Sequence, residues 1–142
     1  MDNVPITAMQ AEIEIHRICE SYWNYIQEIW PTVGAAPKVL TTTRKSRVAG
    51  YAWESTTNSR VEYNLTFAIT AGIAAFTETV VHELAHIVQF RIYPDAAQVH
   101  GPEFRRIMQM LGYDGSTYHS MNSRVAKAAS KETKKVSIAG IL

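Results

Sequence analysis

The spacing of apolar residues changes along the chain, and each change predicts a different element. In "AEIEIHRICESYWNYIQEIWP", residues 11–31, they recur at three- and four-residue steps, as on one face of a helix. Proline cannot continue a helix, so Pro31 marks its predicted end. The members of this apolar face are Ile15, Ile18, Tyr22, Tyr25 or Ile26, and Ile29.

A region of short strands is predicted next. The segment "KVLTT", residues 38–42, follows a connection that contains Pro and Gly, and is typical of a strand. In "RVEYNLTFA", residues 60–68, apolar and polar residues alternate, which predicts a strand with one buried face. Its apolar members are Val61, Tyr63, Leu65 and Phe67. We expect "AGYAW", residues 49–53, to pair with this strand across "ESTTNS".

Two helices are predicted after the strands. The first runs from about Phe76 to about Ile92 and is broken by Pro94. The second, "GPEFRRIMQMLG", has Pro102 near its first turn and ends at Gly112. The order helix, strands, helix, helix predicts the α+β fold class, with a small antiparallel or mixed sheet.

Length and composition bound the class of protein. A chain of 142 residues with 46% hydrophobic and 19% charged residues is typical of one globular domain. The single cysteine, Cys19, excludes an intramolecular disulfide and a Cys-based zinc site, and it indicates an intracellular, reducing setting. The start "MDNVPITAMQ" lacks a signal-peptide pattern, and no apolar run reaches the length of a membrane span. We therefore expect a monomer with no membrane contact.

Charge is distributed unevenly, although the net charge of +1 carries no general signature of nucleic-acid binding. We divide the chain into a domain at residues 1–120 and a basic tail at 121–142. The tail is either a solvated, partly helical or disordered appendage or a contact for a polyanion such as DNA. Its basic residues are Arg124, Lys127, Lys131, Lys134 and Lys135, and a second basic cluster is Arg44, Lys45 and Arg47.

The segment "TVVHELAHIVQF", residues 79–90, carries the clearest chemical signal. Four residues turn a helix by about 400°, so His82 and His86 point within about 40° of each other, with Glu83 on the same side. A catalytic zinc ion needs this set: two nitrogen ligands and a general base. Chance gives only about 0.01 such matches at this composition. The alternative is a metal-free core helix, but burying these three polar groups together without a metal is costly.

A hydrolytic zinc ion usually has three protein ligands and one open position. A histidine six residues after the second one is excluded, because that position is Ile92. His100 is favoured by reach, since the eight residues from Tyr93 can span up to about 26 Å and return beside the helix. Glu103 is the alternative ligand, or a hydrogen-bond acceptor for an imidazole if His100 binds the metal. His119 is a further candidate, for the pocket or for a structural hydrogen bond.

"VVHELAHIVQF" followed by "VHGPEFRRIMQMLG" resembles the SprT-like (Spartan-type) zinc metallopeptidase domain. "SRVAGYAW" and "RVEYNLTFAI" are similar to strands of that family, so the resemblance covers about residues 15–120. It implies that His82, His86 and His100 bind one catalytic Zn²⁺ and that Glu83 is the catalytic base. It also implies a compact zincin-like fold and peptidase activity, in several members directed at proteins crosslinked to DNA. Many members continue into a Cys-based zinc ribbon, whereas this chain has no cysteine after Cys19.

We therefore expect a zinc metallopeptidase that acts on proteins or peptides. An edge strand, "RVEYNLTF" or its partner, is expected to pair with the extended substrate backbone. The alternative function is a zinc-stabilised module that binds nucleic acid or a partner protein without catalysis. Glu83 argues against that function, because a structural site has no use for a carboxylate beside its open position.

Overall fold

The computed structural model describes residues 6–44, 47–55 and 57–114. The elements are helix α1 (Ala8–Ile29), strands β1 (Lys38–Thr42), β2 (Gly50–Trp53) and β3 (Arg60–Asn64), and helices α2 (Leu65–Ala71), α3 (Ile73–Ile92) and α4 (Pro102–Met110). Helices and a small mixed sheet confirm the predicted α+β class. The predicted boundary at residue 120 and the basic tail lie outside the described residues, as do Lys45 and His119. None of the described helices is long and apolar enough to cross a membrane.

Helix α1 forms one side of the hydrophobic core. Thr7 caps its first turn: the Thr7 side chain accepts a hydrogen bond from the Gln10 backbone N–H, and the Gln10 side chain accepts one from the Thr7 N–H. The helix ends just before Pro31, as predicted. Its buried face packs against α2 and α3 and consists of Ala11, Ile15, Ile18, Cys19, Trp23 and Ile26.

Strand β3 lies in the centre of the sheet, whose order is β1-β3-β2. Strand β1 pairs with β3 in parallel and β2 pairs with it antiparallel, so that Val39 and Ala52 both lie opposite Val61. The predicted pairing of "AGYAW" with "RVEYN" is confirmed. The expectation that "RVEYNLTF" is an edge strand is wrong, because β3 is paired on both sides. In the part of the chain that the structure describes, the edges are β1 and β2, and β2 is the one that packs closely against α3.

The strand predicted for residues 60–68 ends early, at Asn64. The Asn64 side-chain oxygen accepts a hydrogen bond from the Thr66 N–H at 3.0 Å, which caps the new helix α2. Leu65 and Phe67 are buried, as the alternation predicts, but they are buried from a helix. The prediction failed because Leu65 and Ala68, three residues apart, also fit a buried helical face.

Helix α3 is the central element and packs against α1, α2, α4 and β2. Arg91 fixes its last turn: the guanidinium donates to the carbonyl oxygens of Val33 and Ala35 at 2.9 and 2.6 Å, and to the Ser59 hydroxyl at 2.8 Å. It also forms an ion pair with Glu54 at 3.3 Å. Because these contacts reach both the α1–β1 connection and the β2–β3 hairpin, they set the orientation of α3 in the domain.

Candidate metal centre

Helix α3 carries the histidine motif into the interior of the protein. The predicted helix is confirmed, and it begins at Ile73, close to the predicted start. His82 and His86 are 1% and 0% exposed, and Glu83 between them is 2% exposed. Burying polar side chains costs free energy unless they find partners. The groups that converge on this motif therefore decide what it does.

The Nε2 atoms of three histidines form a nearly equilateral triangle. They are separated by 3.1 Å between His82 and His86, 3.1 Å between His86 and His100, and 3.3 Å between His82 and His100. His82 and His86 come from consecutive turns of α3, whereas His100 directly precedes Gly101, the N-cap of α4. The structure thus brings together the three histidines that the sequence singles out.

This triangle fits a shared metal ion. Nitrogen ligands at about 2.0–2.1 Å from a tetrahedral zinc ion lie about 3.3 Å apart, close to the separations found here. Hydrogen bonds among the three rings account for it less well, because one ring nitrogen cannot donate to two neighbours along good directions. Among residues 6–44, 47–55 and 57–114, a group of three side chains that could hold a metal ion is formed by these histidines.

Phe104 packs against all three imidazole rings. Its ring centroid lies 4.5 Å from that of His86 in a stacked arrangement, and 4.8 and 5.1 Å from those of His82 and His100 in edge-on arrangements. Phe104 is fully buried on α4, three residues after Gly101. The Phe104 ring therefore restricts the orientation of each of the three imidazoles, and through this ring α4 contacts the histidine triangle directly.

Glu83 is buried beside the histidines. Burial raises the pKa of its carboxyl group well above the ordinary value, since desolvation disfavours the charged form. Its Oε1 atom has no hydrogen-bond partner among the described residues. A cation bound by the neighbouring imidazoles would favour the ionised carboxylate. The surroundings of Glu83 thus match a group whose polar partner is a metal centre or a reacting molecule.

The other candidates contribute less. Glu103, the alternative ligand, is partly exposed on the first turn of α4 and is not a member of the group that could hold a metal. In the basic cluster, Arg44 forms an ion pair with Glu62 at 3.2 Å, and Arg47 is exposed. Lys45 and the basic residues of the tail lie outside the described residues, so nucleic-acid contact stays a prediction.

The patterns in the sequence do not single out Phe104, Gln89 or Gly50 as functional residues. Gln89 is buried on α3, and Gly50 of β2 lies against Glu83. Gln89 could have been found, because it follows His82 by seven residues and His86 by three, on the same helical face. Gly50 could not, since its contact depends on how β2 packs against α3.

Comparison with known proteins gives one result. The model of a family described as the SprT-like family matches residues 20–130, which is most of the chain. No curated protein and no solved structure is significantly similar to the chain.

Proposed function

The chain belongs to the SprT-like family, and we propose that it is a metallopeptidase with one catalytic Zn²⁺ held by His82, His86 and His100. The observation that carries the proposal is the triangle of Nε2 atoms, 3.1 to 3.3 Å on a side, next to the buried Glu83. Imidazole ligands suit several transition metals. We assign zinc because three histidines with one open position are a ligand set of hydrolytic zinc sites.

Zinc at this position would supply Lewis-acid activation of a water molecule and of the scissile carbonyl. Glu83 is the general base, which accepts a proton as the water attacks the carbonyl carbon and then donates it to the leaving amine. Two opposing effects act on the pKa of Glu83: burial raises it, and a cation bound by the neighbouring imidazoles would lower it, which favours the ionised carboxylate that a general base requires. The three imidazoles would hold the metal, and Phe104, which packs against all three, restricts their orientation.

We propose that an extended substrate pairs with the edge strand β2 through main-chain hydrogen bonds. Strand β3 cannot do this, because β1 and β2 already pair with it. Strand β2 packs against α3, and its first residue, Gly50, lies against Glu83. A peptide on β2 would therefore lie on the side of the sheet that carries the proposed base.

The resemblance to Spartan-type peptidases extends the proposal to the substrate and to the fold. We propose a zincin-like arrangement of the active-site helix and the sheet, an intracellular location, and proteins associated with DNA as substrates. Contact with DNA would use Arg47 and the basic tail. Arg44 is less available for it, because Glu62 accepts a hydrogen bond from its guanidinium.

The test combines zinc content with proteolysis. The purified protein is expected to hold one zinc ion per chain and to cleave an unstructured protein, with and without single-stranded DNA in parallel reactions. Glu83→Gln should keep the zinc and lose cleavage by about 10³-fold or more. Glu78→Gln changes a carboxyl group of the same helix, outside the motif, and should leave cleavage intact. Zinc-free protein, or normal cleavage by Glu83→Gln, would refute the assignment.

The alternative function, a zinc-stabilised binding module, predicts a different pattern. Such a protein would hold zinc and bind nucleic acid in a salt-dependent manner, but it would not cleave a protein substrate under any of these conditions. Glu83→Gln would then have no effect on any measured property. The burial of Glu83, at a cost in desolvation, favours the peptidase.

A further inference from the structure

The third candidate ligand is held differently from the first two. His82 and His86 are fixed by the backbone hydrogen bonds of α3, whereas His100 lies in the connection between α3 and α4. Most residues of this connection, from Tyr93 to His100, are exposed or only partly buried. The histidine triangle therefore depends on whatever fixes this connection against α3.

Gln89 reaches the connection from α3. It lies on the same face of α3 as His82 and His86, because seven residues turn a helix by about 700°, within about 20° of two full turns. Its side-chain Nε2 donates a hydrogen bond at 3.0 Å to the backbone carbonyl oxygen of Gln98. A carbonyl oxygen can only accept, so the amide nitrogen must face it. Gln98 is two residues before His100.

Gln98 also lies close to Gly101, the residue that follows the ligand. A Cβ atom built on Gly101 would lie 3.0 Å from the Cβ of Gln98 and 3.2 Å from its Oε1. Gly101, which follows His100, therefore lies close to Gln98, the residue bound by Gln89. Only Val99 separates His100 from Gln98, whose carbonyl oxygen is bound by the Gln89 amide.

The burial of Gln89 is informative because it has a cost. Gln89 is 2% exposed, and its Oε1 has no hydrogen-bond partner among the described residues. An apolar side chain of similar volume would avoid this unsatisfied oxygen and would pack at least as well. The one thing that such a side chain could not supply is the hydrogen bond to Gln98.

We propose that Gln89 is a positioning residue, which holds the His100 connection against α3 and so preorganises the third ligand for the metal. This inference rests on the proposed zinc site. Residues that orient metal ligands through hydrogen bonds typically contribute about 10- to 100-fold to metal affinity. Gln89 acts one step further from the metal, through the backbone, so we expect about 10-fold.

The experiment compares Gln89→Met and Gln89→Glu with the wild type. Methionine keeps the volume without a donor. Glutamate keeps the shape but replaces the amide donor by a carboxyl group, which, when it is ionised, can only accept hydrogen bonds, so its zinc release is measured above neutral pH. The rate of zinc release to an excess of chelator should rise about 10-fold in both variants. The melting temperature of metal-free Gln89→Met should stay within about two degrees, since the core remains filled. Gln89→Glu also buries a carboxyl group, which has its own cost in stability, so it is compared for zinc release and not for melting temperature. Gln109→Met, on the exposed face of α4, is the matched control and should release zinc at the wild-type rate.

A spectroscopic measurement separates positioning from general loosening. In the Co²⁺-loaded protein, the visible absorption bands report the number and geometry of nitrogen ligands. Both Gln89 variants are expected to show weaker or shifted bands, as a fraction of the molecules loses His100 from the metal. The control should reproduce the wild-type spectrum.

Each outcome bears on a different proposal. One zinc per wild-type chain, with unchanged release rates and cobalt spectra in both Gln89 variants, would overturn the role of Gln89 and leave the metal centre standing. A large drop in the melting temperature of metal-free Gln89→Met would show that Gln89 stabilises the core, and would also overturn the proposed positioning role. A wild-type protein without zinc would remove the metal centre and the inference together.

Discussion

Gly50 of strand β2 lies so close to Glu83 of helix α3 that a Cβ atom built on the glycine would be 3.3 Å from the Glu83 Cγ. The same Cβ would meet the carbonyl oxygen of Glu62 at 3.0 Å and the ring of Tyr63 at 3.1 Å. Backbone and a buried ring cannot move aside easily, so an added methyl group would push on the Glu83 side chain. The missing side chain at position 50 thus helps to set where the proposed base lies.

Gly50→Ala is therefore expected to impair catalysis more than metal binding. We expect cleavage to fall by at least about 10-fold, because a displaced base cannot reach the proton that it must accept, and stability to fall by about 1–3 kcal/mol from overpacking. Zinc affinity should remain near the wild-type value. The measurements are cleavage rate, zinc content and urea unfolding of the same preparations.

Gly112→Ala is the control for loss of stability alone. Gly112 has φ +100°, which strains an alanine, but no atom of the described residues lies within 4 Å of a Cβ built there. It should destabilise the protein by about 1 kcal/mol without affecting the cleavage rate of the folded molecules. If Gly50→Ala behaved like Gly112→Ala, the contact with Glu83 would have no catalytic role.

Phe104→Leu is predicted to weaken zinc binding as well as folding. The Phe104 ring contacts all three imidazoles, and leucine cannot fill the same space with a flat surface. We expect zinc affinity to drop by about 10-fold or more, alongside a loss of stability of about 1–3 kcal/mol. Competition with a chelating dye measures the affinity, and urea unfolding of the metal-free protein measures the stability.

Phe76→Leu is the matched control for this prediction. Phe76 is also fully buried, but it packs edge-on against Tyr63. It should lose comparable stability and keep its affinity for zinc. Equal losses of affinity in the two variants would mean that Phe104 acts only through the stability of the core.

The histidine motif was predictable because its geometry is local. The positions of His82, Glu83 and His86 follow from the turn of one helix, and the apolar residues around them identify that helix. The choice of His100 over Glu103 rested on reach and resemblance. The positions of His100 and Glu103 in space depend on how the chain from Tyr93 turns back towards α3. The hydrogen bond from Gln89 to Gln98 that holds this turn joins residues nine positions apart.

The misplaced end of β3 has a different cause. Residues 60–68 have the alternation of a strand throughout, and only the capping hydrogen bond of Asn64 marks where the strand gives way to α2. The same side chain donates to the Arg44 carbonyl oxygen at 2.8 Å, twenty residues away. A cap that is stabilised by such a distant partner has no signature in a pattern of apolar and polar residues.

Asn64→Ala is accordingly expected to destabilise the fold. It removes the cap of α2 and leaves the Arg44 carbonyl oxygen without this donor, for a combined loss of about 2–3 kcal/mol. Urea unfolding of the metal-free protein measures the change. Asn58→Ala, in the exposed turn before β3, should cost less than about 1 kcal/mol. A loss at Asn64 as small as that at Asn58 would contradict the structural role of the cap.

The buried Cys19 predicts a loss of stability at alkaline pH. Cys19 lies on α1, and its sulfur is 3.9 Å from the Tyr63 hydroxyl oxygen. Burial raises the pKa of the Cys19 thiol from 9.0 to about 12. Because the folded-state pKa is raised, the unfolded chain loses its thiol proton first as pH increases. The contribution of Cys19 to stability is therefore complete below about pH 9 and is lost as pH rises towards 12, by at most about 1.4 kcal/mol per pH unit.

Urea unfolding between pH 8 and pH 11 should show a steeper decline for the wild type than for Cys19→Ala. The tyrosines titrate in both proteins, and the pKa of Tyr63, which contacts Cys19, is raised mainly by its own burial, which Cys19→Ala leaves in place. Parallel curves would mean that the thiol ionises as easily in the folded state as in the unfolded one.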